Sequence, residues 1–331
     1  MATKLSLSQA CEGMIRYKMA AGKSEHTIVD YRSSFKKLHL FFPDDPPFSS
    51  ISRPMLIEFF AWLQNGYETN PDGVAPRGKF KLAPKSILNI HINLSSLWTW
   101  GVEEGLVKEN LIRKISPPPV EPPVIEPFSK DDIALLMKVC SRSRTWKTNP
   151  SVSNSRPTAD RDKAIIAVLL DTGVRASELC GIRFGDINIK ENRIHIFGKG
   201  GGRDKKERFV YFGRRTSQLI WKYLLPRMEE IREEDPVFVV GSLDFWQPMN
   251  RSVLRKHLHR LGERAGVSKT YPHRFRHTFA INFLRNGGDI FTLQAMLGHS
   301  DLTMVQRYAR IANTDVEKAH RKASPVDNWR L

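Results

Sequence analysis

The sequence Tyr-Pro-His-Arg-Phe-Arg-His-Thr-Phe-Ala occupies residues 271–280, followed by Leu-Gly-His-Ser at 297–300 and Val-Gln-Arg-Tyr at 305–308. These segments decide the fold of the C-terminal half, because they combine reactive side chains with helix start and stop signals. Pro272 suits the first turn of a helix, where a missing N–H costs nothing. Gly298 is a natural helix end. The pattern predicts short helices that present histidines, an arginine and a tyrosine at their starts and corners.

The side chains on these predicted helices have the chemistry needed to attack a phosphodiester. His273, Arg276 and His277 are three and four residues apart, so they share one helix face. Tyr308 can act as a nucleophile, but its ordinary pKa of about 10 means that it needs help to ionise. An imidazole can accept a proton near neutral pH, and the Arg276 guanidinium matches two phosphate oxygens. Together these residues predict a phosphate-directed site.

Two further motifs lie upstream of this stretch. Residues 172–179 read Thr-Gly-Val-Arg-Ala-Ser-Glu-Leu, and Gly-Lys-Gly at 198–200 precedes Glu-Arg-Phe-Val at 207–210. In this order the motifs closely resemble the catalytic region of the tyrosine recombinases, the family of phage integrases and Xer-type site-specific recombinases. One such motif alone would be weak, whereas the whole ordered series is very improbable by accident.

The resemblance implies six active-site residues: Arg175, Lys199, His273, Arg276, His299 and Tyr308. By the same resemblance, Tyr308 is the nucleophile that forms a 3′-phosphotyrosyl link, and His273 is the base. The two arginines clamp the phosphate, His299 adds a hydrogen bond to it, and Lys199 protonates the leaving 5′-oxygen. No metal or other cofactor is expected for this chemistry.

The lysine assignment has alternatives within the same loop. Residues 198–206 are rich in glycine and basic side chains, and the resemblance implies a hairpin whose lysine enters the DNA minor groove. Lys199 matches the family position. The loop is longer than the usual family version, so Lys205 and Lys206 stay open as weaker candidates.

Arg175 has a simpler interpretation when it is considered without the other motifs. Glu178 lies one helical turn further on, and the two residues could form an ordinary surface ion pair. The functional interpretation places Arg175 at a helix start, where backbone donors and the positive end of the helix dipole converge. Only the ordered series of motifs favours the functional interpretation.

The charge balance indicates a polyanionic partner. The chain of 331 residues has a formal charge of +17, a pI of about 9.9 and 40% hydrophobic residues. A basic globular protein of this kind suits nucleic acid first and an anionic membrane surface second. A basic protein without either partner is the competing interpretation, and charge alone does not exclude it.

The cysteines and the chain start predict a cytoplasmic protein. Cys11, Cys140 and Cys180 are far apart and have neither disulfide-framework nor metal-ligand spacing. No secretory signal is visible, and no apolar run approaches the roughly 20 residues that span a bilayer.

Residues 1–115 are predicted to form amphipathic helices that begin near Ser8, Ser24, Ser52 and Pro84. Their aromatic residues recur at helical spacing and are interpreted as core. The resemblance implies a SAM-like core-binding domain of four or five helices that clasps one side of the duplex. The polar loop from Tyr67 to Leu82 is either a phosphate contact or simply solvated.

Residues 116–127 contain six prolines and are predicted to be a stiff linker. A proline-rich recognition site for another protein is the alternative, but the position between two folded segments favours the linker. The fold expected overall is mainly α with a small antiparallel β-sheet.

Residues 128–331 are predicted to form the α+β catalytic domain. The expected elements are strands at 186–189, 193–197 and 207–212, and helices at 129–140, 162–170, 176–182, 216–234, 254–265 and 311–320. The basic helix at 254–265 is either a solvated surface or a contact for backbone phosphates. The resemblance implies that the tail after Tyr308 docks on a neighbouring protomer, giving a tetramer on two DNA sites.

The leading functional interpretation is a site-specific recombinase acting on double-stranded DNA. A type IB topoisomerase-like nicking and closing enzyme would share the chemistry. A DNA-binding protein that has lost catalysis is a further alternative, against which the intact set of six residue types argues.

Overall fold

A computed structural model describes residues 5–68, 81–121, 124–142, 155–198, 207–242, 245–298 and 303–312, with residues 324 and 326. The chain divides into two units, residues 1–123 and 124–331, and each unit has a hydrophobic core of its own. Within the described ranges, no helix combines the length and apolar character that crossing a bilayer requires.

The described part of the N-terminal unit contains four α-helices: α1 Leu7–Ala20, α2 Glu25–Phe41, α3 Arg53–Asn65 and α4 Pro84–Glu103. Short 3-10 turns follow α2 and α4, at Phe48–Ser50 and Leu111–Lys114. The four-helix prediction is confirmed, as is the cap on α2, where the Ser24 hydroxyl accepts from the Thr27 backbone N–H.

The aromatic residues of the N-terminal unit belong to its core, as helical spacing predicts. Trp98 on α4 is fully buried and its ring lies 4.8 Å from that of Phe48. Phe59 of α3 is also fully buried and packs on Phe41 of α2. The polar loop at 67–82, for which the sequence left phosphate contact and simple solvation open, lies mostly outside the described residues, which end at 68 and resume at 81.

The described part of the C-terminal unit contains eight α-helices: α5 Lys130–Ser141, α6 Ala159–Thr172, α7 Ala176–Gly181, α8 Arg214–Leu224, α9 Arg251–Ala265, α10 Pro272–Arg285, α11 Ile290–Leu297 and α12 Thr303–Ala312. Its strands are β1 Ile187–Asn188, β2 Arg193–Phe197, β3 Glu207–Tyr211, β4 Val239–Ser242 and β5 Phe245–Pro248. The mainly α fold with a small antiparallel sheet is confirmed. The predicted tail helix at 311–320 falls almost wholly outside the described residues.

Strands β1, β2 and β3 form an antiparallel sheet in that order, with Ile194 opposite Val210 in the central register. Both residues are fully buried, and they lie on the same face of the sheet because they are directly opposite each other on paired strands. The first strand is shorter than predicted, since a 3-10 turn at Phe184–Asp186 takes up its start.

Helix α8 corrects the sequence prediction, which extended the helix to residue 234. The α-helix ends at Leu224 and passes into a 3-10 turn at Leu225–Arg227. Pro226 explains the early end, because proline has no N–H to donate and its ring clashes with the preceding turn.

The hairpin of β4 and β5 was not predicted. Its strands pair antiparallel, with Val240 opposite Gln247. The residues that lead into and begin β4, Val-Phe-Val-Val at 237–240, are a continuous apolar run without the alternation that identifies a half-buried strand.

The second core of this unit brings the site-bearing helices together. Helix α10 packs against α6, α9, α11 and α12. Residues of α10, α11 and α12 form a separate hydrophobic cluster, and Tyr308 lies within it. The predicted helix over 272–286 therefore becomes the centre of the packing.

The end of the proline-rich segment is attached to α10. Arg274 donates from Nε to the Glu126 carbonyl at 3.0 Å and its guanidinium lies 4.0 Å from the Phe128 ring centroid. The Phe128 N–H donates to the Thr278 hydroxyl at 2.8 Å. Arg274 and Thr278 alternate along α10 with the histidines of the candidate site.

Candidate active site

Arg175 is positioned by the tight connection between α6 and α7. Gly173 ends α6 in the left-handed conformation, with φ of 61°. A Cβ at this position would lie 2.3 Å from the Phe279 ring, so only glycine allows α10 to approach. The chain then places Arg175 at the N-cap of α7, where the sequence predicted it.

The predicted pairing of Arg175 with Glu178 is confirmed. One carboxylate oxygen of Glu178 accepts from the Arg175 backbone N–H at 2.7 Å, and the other accepts from Arg175 Nη1 at 2.8 Å. The Glu178 side chain is only 4% exposed, whereas that of Arg175 is 39% exposed. The ion pair therefore leaves Arg175 available for a functional role, because its guanidinium still reaches solvent.

Arg276 is held more rigidly than Arg175. It is 1% exposed, and it donates to the Gly173 carbonyl and the Leu297 carbonyl, each at 2.7 Å. Burial, and then repulsion from Arg175, lower its pKa to about 10, so the guanidinium is still charged at neutral pH. Arg276 thus joins the ends of α6 and α11 to α10.

Tyr308 is fully buried and bonded to a histidine. Its hydroxyl lies 2.8 Å from Nδ1 of His277, and the two rings are 5.5 Å apart. Burial raises the pKa of Tyr308, while the charges of Arg276, Arg307 and Arg175 oppose that change. Arg276 is therefore close enough to influence the phenol electrostatically.

His277 contacts the tyrosine although the sequence motifs did not assign it to the site. Its position on the same helix face as His273 and Arg276 was visible from the spacing, but the family resemblance directed attention to His273. Burial lowers the pKa of His277 to about 4, aided by repulsion from His273 and nearby arginines. A neutral imidazole is the state that can accept the phenol proton.

His273 lies between this pair and an open cavity. Its ring contacts that of His277 edge-to-face, with centroids 4.2 Å apart. Burial, followed by the charges of Arg276 and Arg175, lowers its pKa as well. A positive charge on either imidazole is therefore unfavourable next to the guanidinium groups.

Several cationic side chains line one cavity of about 590 Å³. Its lining includes Arg175, His273, Arg276 and, from α9, Arg251 and Arg255. The last two are four residues apart and so lie on one face of α9. The basic helix that the sequence left undecided thus contributes directly to the candidate site.

Four predicted or alternative site residues, Lys199, Lys205, Lys206 and His299, lie outside the described residues. The described chain does position their neighbours. Strand β2 ends at Phe197 and β3 begins at Glu207, while α11 ends at Leu297 with Gly298 as its left-handed cap. The assignments of these four residues stay predictions.

The described arrangement can support one type of chemistry well. A phenol with an imidazole proton acceptor is a potential nucleophile, and two guanidinium groups beside an open cavity can bind the oxygens of a phosphate. Fold and site together define the class of enzyme that attacks phosphate esters with a tyrosine.

Comparison with known proteins agrees with this class. The model of the phage integrase family matches residues 128–315. Tyrosine recombinase XerC of Corynebacterium efficiens is 26% identical over 323 residues, 97% of this chain and 91% of that protein. Tyrosine recombinase XerD of Lacticaseibacillus casei is 27% identical over 281 residues, 82% and 89% of the two chains. The chain therefore belongs to the phage integrase family and is a site-specific recombinase of the tyrosine type.

Solved structures share the fold across almost the whole chain. The Tn1549 transposon integrase in complex with a circular intermediate DNA has a TM-score of 0.70 at 17% identity, covering 96% of this chain and 99% of its own. XerH site-specific recombinase bound to palindromic difH substrate has a TM-score of 0.66 at 19% identity, covering 95% and 84%. Coverage of both halves shows that the two-part fold of these structures extends over both units of the chain.

Proposed function

We propose that this recombinase cuts double-stranded DNA by attack of Tyr308 on a phosphodiester. The phenol oxygen bonds to phosphorus as the bond to the 5′-oxygen breaks, leaving a 3′-phosphotyrosyl link. The contact between Tyr308 and neutral His277, at 2.8 Å, is the observation that carries the proposal. It pairs the proposed nucleophile with a proton acceptor beside a buried arginine.

The cationic groups have separate proposed roles in this reaction. Arg175 and Arg276 bind the non-bridging oxygens, because both line the cavity and a guanidinium matches the geometry of two phosphate oxygens. His273 lines the same cavity and is the proposed base, which takes the phenol proton once Tyr308 has reached the phosphate. His277 accepts only the hydrogen bond of the phenol before attack. Lys199 is the proposed acid for the 5′-oxygen, and His299 the proposed additional donor.

Tyr308 must gain access to the cavity during the reaction. Tyr308 has no exposed surface, and it is not among the described residues that line the cavity. The phenol must therefore leave its hydrophobic cluster before it reaches a phosphate. We propose that DNA binding supplies the free energy for this movement of α12.

We propose that each of two domains, residues 1–115 and 128–331, contacts the DNA and that the linker at 116–127 joins them. Arg251 and Arg255 extend the cationic surface beyond the reacting phosphate, where neighbouring backbone phosphates lie. A formal charge of +17 supports the same partner. Because the proposed substrate is DNA, we propose that the protein acts in the cytoplasm.

Strand exchange follows when a 5′-hydroxyl of a second duplex attacks the covalent link. The covalent intermediate conserves the phosphodiester, so no external energy source is needed. We further propose that four protomers assemble on two DNA sites through the tail after Tyr308. Relatives over nearly the full chain are recombinases, which favours exchange over simple relaxation of supercoils.

A suicide substrate tests the nucleophile. Nicked DNA from the region flanking the gene would be incubated with wild type, Tyr308→Phe and the control Tyr211→Phe, in chelator. Tyr211 is an exposed tyrosine of β3, so Tyr211→Phe removes the same hydroxyl group at a position away from the candidate site. A covalent band on a denaturing gel from wild type and the control, but not from Tyr308→Phe, is expected. A covalent band that persists in Tyr308→Phe would contradict the assignment.

A further inference from the structure

Three successive carbonyl groups at the C-terminal end of α11 each accept a hydrogen bond from a different arginine. The pairs are Arg208 with Met296 at 2.7 Å, Arg276 with Leu297 at 2.7 Å, and Arg175 with Gly298 at 3.3 Å. Carbonyls at a helix end lack helical partners and carry the negative end of the helix dipole. Cations from β3, α10 and the start of α7 therefore converge on one helix end.

Arg208 differs from the other two arginines in its surroundings. Its side chain is only 11% exposed, and it is not among the described residues that line the cavity. Its two terminal nitrogens donate to the two oxygens of Glu178, at 3.1 and 2.8 Å. It therefore lies behind Arg175, since Glu178 holds both guanidinium groups at once.

Glu178 is a buried carboxylate whose charge depends on these donors. Burial by itself would raise the pKa of Glu178, but hydrogen bonds from Arg208 and the Arg175 backbone outweigh it, and the pKa falls to about 2. Without Arg208, the carboxylate would lose two donors and turn towards Arg175. That movement would draw the Arg175 guanidinium away from the cavity.

We propose that Arg208 is a positioning residue for recombination, which holds Glu178 and the end of α11 so that Arg175 faces the phosphate. The inference rests on the proposed function, because it assigns the clamp to Arg175. Arg208 is also the second residue of β3, directly after the loop at 198–206. It thereby links β3 to the arginine clamp and to the C-terminal end of α11.

Only arginine meets the geometry at this position. Three of its nitrogens are engaged in different directions, with Nε on Met296 and the terminal pair on Glu178. Lysine keeps the charge but offers a single nitrogen, so it cannot make both contacts in the same way. The Arg208→Lys variant therefore separates positioning from charge.

The test compares two substrates in single-turnover cleavage. One is ordinary DNA, and the other has a methylphosphonate at the cleavage position, which removes the negative charge that Arg175 binds. We expect Arg208→Met and Arg208→Lys to cut ordinary DNA roughly 100-fold more slowly than wild type, as a misplaced catalytic group costs. On the methylphosphonate, both variants should approach the wild-type rate.

Arg193→Met is the matched control. Arg193 lies on β2 of the same sheet, pairs with Glu191 at 2.6 Å and has its guanidinium 4.5 Å from the Phe209 ring centroid. Its rate should equal that of wild type on both substrates. Thermal melting and DNA affinity of each variant exclude loss of fold, and Arg208→Lys suffices if Arg208→Met does not fold.

The outcomes separate this inference from the proposed function. Loss confined to ordinary DNA supports positioning of the phosphate clamp. Equal loss on both substrates, or no loss on either, overturns the role of Arg208 while wild type still forms covalent product. Failure of wild type to form that product would overturn the proposed function, and this inference with it.

Discussion

The hydroxyl of Tyr308 lies 2.8 Å from Nδ1 of His277, and the tyrosine has no exposed surface. Burial raises the pKa of Tyr308 and lowers that of His277 to about 4. At neutral pH the phenol is therefore protonated, the imidazole is neutral, and the O–H donates to the nitrogen. This bond attaches α12 to the helix that also carries Arg276.

Replacing both partners should reveal coupling between them. In a double-mutant cycle of His277→Phe and Tyr308→Phe, we expect an interaction free energy of about 1 kcal/mol, as for a typical buried hydrogen bond. Urea unfolding of the four proteins measures it. As a control, His259→Phe at an exposed position of α9 should be additive with Tyr308→Phe within about 0.5 kcal/mol. Additivity in the His277 cycle would mean that the bond does not form in solution.

The pH dependence of cleavage should reflect the lowered histidine pKa values. Both His273 and His277 have pKa values below the usual one, so both are neutral at pH values where an ordinary histidine is already half protonated. As pH falls, the single-turnover rate should hold through about 6.5, the ordinary histidine value, and decline only below it. DNA affinity across the same range is the control. A decline centred at or above the ordinary value would contradict the assigned environment.

Arg276→Lys should impair catalysis strongly although it keeps the charge. Lysine cannot donate to the Gly173 and Leu297 carbonyls while also facing the phosphate, because it lacks the planar fork. A loss of about 100-fold or more in cleavage is expected, comparable to removal of a transition-state donor. Arg285→Lys, at an exposed position near the end of the same helix, should behave as wild type. If Arg276→Lys lowers the cleavage rate by less than tenfold, Arg276 does not bind the phosphate as proposed.

Arg251 and Arg255 should contribute to DNA affinity through phosphate contacts. Each change to alanine is expected to lower the slope of log affinity against log salt by roughly 1, with uniform weakening across DNA sequences. Fluorescence anisotropy at several salt concentrations measures this slope. Lys222→Ala removes the same charge from α8, where Lys222 pairs with Asp160 at 3.2 Å, and should leave the slope unchanged. Equal slopes in all variants would place the DNA backbone elsewhere.

Arg274 should stabilise the C-terminal unit more than its exposed neighbour does. Arg274→Met removes a buried, charged donor to the carbonyls of Glu126 and Ser268, which should cost about 1–3 kcal/mol in free energy of unfolding. Lys269→Met breaks only an exposed ion pair with Glu126, for which about 0–1 kcal/mol is typical. Chemical denaturation compares them. Equal costs would show that the hydrogen bonds of Arg274 to residues 126 and 127 contribute little to stability.

Local features of this protein were predictable from sequence because their causes lie within a few residues. Ser24 and Ser129 cap helices as expected, and Gly173 and Gly298 end them in the left-handed conformation. The pairing of Arg175 with Glu178 spans one helical turn and was equally visible. The predicted extension of α8 to residue 234 was wrong because Pro226, just after the end of the helix, prevents it from continuing.

Tertiary structure decided which reactive groups meet. His277 and Tyr308 are 31 positions apart, and Arg208 and Glu178 are 30 apart, so no helical or strand period relates them. Their contacts depend on how α10, α12, β3 and α7 pack. The sequence therefore determined the set of reactive side chains and the helix ends that carry them. Packing alone selected the histidine that holds the tyrosine and the arginine behind the clamp, because those distances follow from the folded core.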